Sequence, residues 1–229
     1  MTDIVIVNRC TVLTDAEIKA CIPAFQAQVL EDFAPHWQFS ATLHFAGLRA
    51  AVPSSAGWPL YILDTTDVPG AGGYHDDDTG TPEGKVFAAD AMQYGEAWTI
   101  DLTHELLEML ADSDANTILP LPAPYSEYHC LQEVCDAVEA DRNGYAKHRW
   151  PTVRLTDFCY PAYFTGGPGP YDAMRRLRAP APALLSGGYL GIELPDGQWT
   201  QITKPDELGR VSRRSHRMQS RIGRRLAKV

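Results

Sequence analysis

A chain of 229 residues with 45% hydrophobic content is long enough to bury a substantial core, and its length predicts one domain or at most two. The formal net charge of −9 conceals an asymmetry: eight basic and no acidic residues lie between Leu208 and Val229, which leaves twelve basic against 29 acidic residues over 1–207, about −17. No stretch approaches the roughly 20 apolar residues that a membrane span requires. The apolar run Ile4–Val7 follows an acidic residue and is too short for a signal-peptide core, so the expectation is a cytoplasmic protein with no transmembrane segment.

Taken in chain order, residues 3–7 (DIVIV) read as a short buried strand, rich in β-branched side chains. A helix should follow, because Thr14 and Glu17 have capping-box spacing and Ile18, Ile22, Phe25 and Val29 fall three or four apart. Pro23 interrupts that stripe and should kink or restart the helix. The segments 40–48 and 59–64 read as further strands, separated by turn material at Pro53, Ser54, Ser55 and Gly57. A Gly-rich acidic loop (70–84) then leads into KVFAAD, which reads as a short edge strand. Within that loop, His75-Asp76-Asp77-Asp78 lacks the alternating ligand and Gly spacing of a calcium loop and reads as a solvated rim. Beyond about residue 115 the chain is Pro-rich and aromatic, with a strand expected at TVRLTDF and otherwise loops packed on a scaffold.

Five cysteines (Cys10, Cys21, Cys130, Cys135, Cys159) form no CxxC pair, which points to free thiols rather than a disulfide framework or a cysteine zinc ribbon. Cys130 and Cys135 flank a candidate ligand segment, so either could touch a metal.

The chemistry is carried by residues 100–112, IDLTHELLEMLAD. On a helix His104 and Glu108 leave the same face one turn apart and can converge on one ion. Glu105 points about 100° away from His104, near enough to reach a metal-bound water without being a ligand. Leu102, Leu106, Met109 and Leu110 gather on another face and should hold the helix against a sheet. The same pentapeptide, His-Glu-Leu-Leu-Glu, also arises by chance on solvated amphipathic helices. Further acidic groups strengthen the metal reading. Asp112, Asp114 and Asn116 form a run of oxygen ligands or helix-end caps, able to orient the ligands of the ion or to hold a secondary cation. In QEVCDAVE (132–139), Glu133 and Asp136 follow His104 by some thirty residues.

The pattern resembles the zincin signature His-Glu-x-x-His with Glu108 in place of the second histidine. A carboxylate oxygen is an ordinary zinc ligand, and the more anionic set leaves other divalent metals open. HELLEMLADSDAN followed by EVCD is further similar to the Exordium-like (phosphate-induced) plant proteins and to bacterial proteins read as zincin-like, over about residues 74–165, including YHDDDTG, KVF and TDFCYPAYF. Where that pattern has Pro after Asp112, this chain has Ser113. The resemblance implies a zincin-like α/β (α+β) fold, in which a twisted mixed sheet lies over an active-site helix above an irregular lower half. It also implies a zinc-dependent peptidase: His104, Glu108 and one carboxylate of Glu133 or Asp136 hold the ion, and Glu105 is the general base toward a metal-activated water attacking a peptide bond. Tyr160, Tyr163 and His129 are transition-state candidates of low weight, since residues of these types more often serve packing.

The organisation read from the chain is a zincin-like metal-binding domain over 1–203 and a basic amphipathic tail over 204–229. Arg213, Arg214, Arg217, Arg221 and Arg224 lie on one arc of the tail, beside Val211, Met218, Ile222 and Leu226. That arc fits an anionic partner or an acidic protein surface, while the acidity of the body argues against nucleic acid. The enzyme reading implies a peptide or protein substrate. The rival reading is a catalytically silent binding or assembly module that docks through the basic helix.

Overall fold

The computed structural model describes residues 1–48, 50–52, 56–68 and 71–204. The predicted basic tail, with Arg213, Arg214, Arg217, Arg221 and Arg224, lies outside the described residues. Among those described, no helix is long and apolar enough to cross a membrane.

The fold is mixed α and β, built on two sheets. The first has five strands in the order β2-β1-β3-β5-β4: β1 (Thr2–Asn8), β2 (Ala41–Ala46), β3 (Trp58–Leu63), β4 (Gly73–Asp76) and β5 (Glu83–Phe87). Every pairing is parallel except β4 with β5. The predicted first strand is central and is buried on both faces from Ile4 to Val7, as an unbroken β-branched run should be in a parallel sheet. Helix α1 (Asp15–Ala27) starts at the expected capping box, with Thr14 Oγ1 accepting from the Glu17 amide and the Glu17 carboxylate accepting from the Thr14 amide. Pro23 does not restart it. The proline faces solvent, the helix runs through it, and the irregularity comes later as a π-helical segment (Gln28–Phe33) leading to α2 (Ala34–Trp37).

Two strand expectations are corrected. KVFAAD does not form the sheet edge, because β5 pairs with β3 on one side and β4 on the other. The supposed Gly-rich loop supplies β4, and β4 takes the edge. TVRLTDF is not a strand either; it makes one isolated bridge, Leu155 to Tyr145.

The second half is more regular than its Pro-rich composition suggests. β6 (Ile118–Pro120), β7 (His129–Leu131), β8 (Tyr189–Glu193) and β9 (Trp199–Thr203) form a four-stranded antiparallel sheet. Partners far along the chain complete it, which is why local composition hid it.

A short α3 (Ala88–Gln93) precedes α4 (Trp98–Ala111), the expected metal helix. It packs on β3, β4 and β5, and every residue from Thr99 to Ala111 is buried, the polar ones included. It is therefore an interior helix with no solvated face. Its first turn is capped from a distance, the Asp141 carboxylate accepting the Ala97 N–H at 2.6 Å. Midway, Thr103 Oγ1 donates to the Thr99 carbonyl and accepts the Thr156 N–H at 2.9 Å, joining the helix to the second half.

The segment carrying EVCD is clamped by backbone bonds. The Cys159 N–H donates to Val134 O at 2.6 Å, Leu185 N–H to Ala137 O at 2.9 Å, and Gln132 N–H to Thr117 O at 3.0 Å. Gly188 sits directly over it, where a Cβ would lie 2.3 Å from the Ala137 carbonyl oxygen. Backbone on both sides leaves that contact nowhere to relax. Gly188→Ala should therefore cost about 2–3 kcal/mol in a denaturant melt and displace the loop that bears Asp136; unchanged stability would contradict the close approach.

Candidate metal centre

The i, i+4 geometry of α4 brings His104 and Glu108 together as the sequence implies. His104 Nε2 lies 3.0 Å from Glu108 Oε1 and 3.2 Å from Asp136 Oδ1. Donors at about 2.0–2.2 Å from one ion stand about 2.8–3.6 Å apart, so these spacings fit a shared cation. Cys135 and Glu139 complete the neighbourhood. Ligand atoms of His104, Glu108 and Cys135, and those of His104, Asp136 and Glu139, each lie within 4.8 Å of one another. Buried His, Glu and Cys groups here could hold a metal ion.

Each donor is positioned by a different element. Glu108 Oε1 accepts the Cys135 N–H at 3.1 Å, which fixes the carboxylate against the clamped loop. The Cys135 thiol points to the His104 carbonyl at 3.8 Å. Asp136 opens a short 3-10 turn (Asp136–Val138), and Glu139 follows it; Asn143 Nδ2 donates to the Glu139 carbonyl at 2.7 Å. His104 and Glu105 are 0% exposed and Glu108 is 1% exposed, so the centre is closed to solvent among the described residues.

Electrostatics follow from that burial. The Glu108 carboxyl is pushed up to about 8, chiefly because burial penalises its charge; Asp136 and Glu133 raise it further while His104 opposes them. Burial, then the charges of Glu108 and Asp136, hold the Cys135 thiol well above its ordinary range, so it is a neutral thiol in the ion-free protein. Every described lysine and arginine keeps part of its side chain in solvent.

The remaining expected residues divide. Glu133 is buried and near enough to raise Glu108, yet it does not belong to the converging donor groups; of the two downstream candidates, Asp136 is the one beside His104. The Asp112 carboxylate is a helix-end cap, accepting from the Thr117 amide and hydroxyl at 2.8 Å each. Asp114 and Asn116 are exposed on the turn beyond it, away from the centre. Cys130 is buried in the hydrophobic core. Tyr163 donates to the Ala183 carbonyl, Tyr160 stacks on His36, and His129 pairs with Glu193. All three do packing or surface work.

His75 departs from the reading of its segment as a solvated rim, which holds only for Asp76, Asp77 and Asp78. It is 1% exposed on β4, with Nδ1 3.5 Å from Glu105 Oε2 and 4.0 Å from Glu108 Oε2, and its donor atoms converge with those two glutamates. Strand alternation explains this. Gly73 and His75 face α4, whereas Tyr74 turns the other way to donate to Asp67 and accept from Lys85 Nζ. The signal was present in the sequence as Gly-Tyr-His followed by an Asp- and Gly-containing turn and then EGKVF, a hairpin pattern. Glu139, the other residue missed, repeats the three-residue step from Glu133 to Asp136.

No protein-family model, curated protein or solved structure matches this chain.

Proposed function

We propose that this protein is a divalent-metal-dependent hydrolase of peptide bonds, with zinc as the first candidate ion. The single observation that carries the reading is the convergence of His104 Nε2, Glu108 Oε1 and Asp136 Oδ1, with Glu105 on the adjoining turn of α4. A cation bound by these three would act as a Lewis acid, polarising a carbonyl and stabilising the charge that develops on it. Cys135 N–H holds the Glu108 carboxylate in register for this task. Glu105 supplies a buried carboxylate beside the ligand set, placed to accept a proton and return it to a leaving amine. The carboxylate-rich donors also suit harder ions such as manganese.

The burial of every ligand favours a second reading: a closed, structural ion in a domain used for binding or assembly. One variant separates the two. Glu105→Gln is expected to retain the ion on the His104 side and to lower peptide hydrolysis by roughly 100-fold or more, the upper part of the usual range for a lost general base. Metal content by elemental analysis and cleavage of a quenched fluorescent peptide library by the full-length protein provide the readouts. An ion-loaded wild type that cleaves no peptide leaves the structural reading standing and removes the peptidase.

A further inference from the structure

The His75 ring is engaged on both nitrogens. Its Nε2 lies 3.1 Å from the Asp112 carbonyl oxygen, and because a carbonyl only accepts, Nε2 carries the hydrogen. In the neutral ring Nδ1 then presents a lone pair, and it faces Glu105 Oε2 at 3.5 Å and Glu108 Oε2 at 4.0 Å. Three acceptor atoms thus converge where all three side chains are 0–1% exposed. When both carboxylates are ionised, like partial charges at that separation repel unless a positive charge lies among them.

A proton on the imidazole and a metal ion can each supply that charge, and the geometry discriminates between these two. Charge-assisted N–H···O bonds draw in to about 2.7–2.9 Å, and Nδ1 to Glu105 Oε2 is much longer. It falls within the about 2.8–3.6 Å expected of two donors around one ion, whereas the 4.0 Å from Nδ1 to Glu108 Oε2 lies beyond that range and has to close by a few tenths of an ångström when an ion binds. Glu108 supplies an independent observation. Its Oε1 accepts the Cys135 N–H and approaches His104, whereas its Oε2, buried and aimed at His75, accepts no hydrogen bond among the described residues. An imidazole whose second nitrogen donates to a backbone carbonyl is also the arrangement that orients metal-ligating histidines. The strand is brought close by Gly73, where a Cβ would stand 2.8 Å from Glu105 Oε1. Any larger residue would force either the Glu105 side chain or β4 to shift and so disturb this approach.

We propose that the protein binds a second divalent cation between β4 and α4, held by His75 Nδ1, Glu105 Oε2 and Glu108 Oε2, so that Glu108 bridges two ions through its two oxygens. The proposal rests on the metal-binding half of the functional reading above and is independent of peptide hydrolysis. It has a consequence for Glu105, whose Oε2 is occupied when the second ion is bound. Glu105 then acts as a proton acceptor only in molecules carrying the His104-side ion alone.

The test is stoichiometry. Full-length protein stripped with a chelator is titrated with Mn2+ alone, followed by calorimetry and by electron paramagnetic resonance. Wild type is expected to take up two equivalents, the second addition bringing exchange broadening between carboxylate-bridged ions. His75→Ala and the milder His75→Gln should each lose one equivalent and the broadening. His104→Ala should lose the other equivalent, and Glu108→Ala both. A wild-type stoichiometry of one that persists in His75→Gln overturns the second ion and leaves the His104 site intact; no uptake by wild type overturns both. Because the wild-type count requires no variant, a misfolded mutant cannot rescue or sink the proposal.

Discussion

Replacing His104 by alanine is expected to weaken the ion held with Glu108 and Asp136 by more than about 100-fold, since even residues that merely orient a ligand cost 10–100-fold. The reason is geometric: His104 Nε2 is the donor that stands 3.0 Å from one carboxylate and 3.2 Å from the other, and among the described residues no other imidazole reaches both. His75, the nearest alternative, faces Glu105 and Glu108. Competition with a chromophoric chelator gives the affinity, and far-UV circular dichroism checks that the variant folds. Asp136→Asn should follow in the same direction with a smaller loss, because an amide oxygen remains in place. If the His104 variant keeps wild-type affinity, the ligand assignment fails.

The pH dependence of ion binding should be steep. Glu108 holds its proton up to about pH 8 because its charge is buried beside Asp136 and Glu133. An ion must therefore displace that proton, and affinity should rise about tenfold per pH unit from pH 6 toward 8 and flatten above. A flat profile over that range would refute the place given to Glu108.

Without an ion the same group makes the fold sensitive to base. Its pKa in the folded chain, about 8, stands above the ordinary 4.5. The stability it contributes is thus complete below about pH 4.5 and lost as pH rises through 8. Asp157 acts in the same sense. It is raised from 3.8 to about 8, mainly by burial and then by Asp172, with which it shares a hydrogen bond. Chelated protein should melt at least about 5 °C lower at pH 9 than at pH 6 by scanning calorimetry, and saturating metal should shrink the difference.

Much of the N-terminal half was legible because its signals are local. Ile4 to Val7 announce a strand buried on both faces, and Thr14 with Glu17 announce a helix start. His104 and Glu108 are placed by the helical repeat alone. The errors share a cause. TVRLTDF has strand composition but finds only the bridge from Leu155 to Tyr145, while β8, in a segment read as loop, finds β7 and β9. Strand identity is settled by a partner, and the partners of the second sheet lie as far apart as His129 and Glu193.

By itself, then, the amino-acid order determined which groups one helix can aim in a common direction, because 3.6 residues per turn relates His104 to Glu108 whatever surrounds them. Tertiary structure alone decided what meets them. Hydrogen bonds from Leu185 and Cys159 set the loop that presents Asp136, and the antiparallel edge strand delivers His75 from across the sheet. It also decided that the helix is interior, and burial is what turns an ordinary Glu108 into a group that holds its proton to about pH 8. Spacing is a property of the chain, whereas desolvation is a property of everything packed around it.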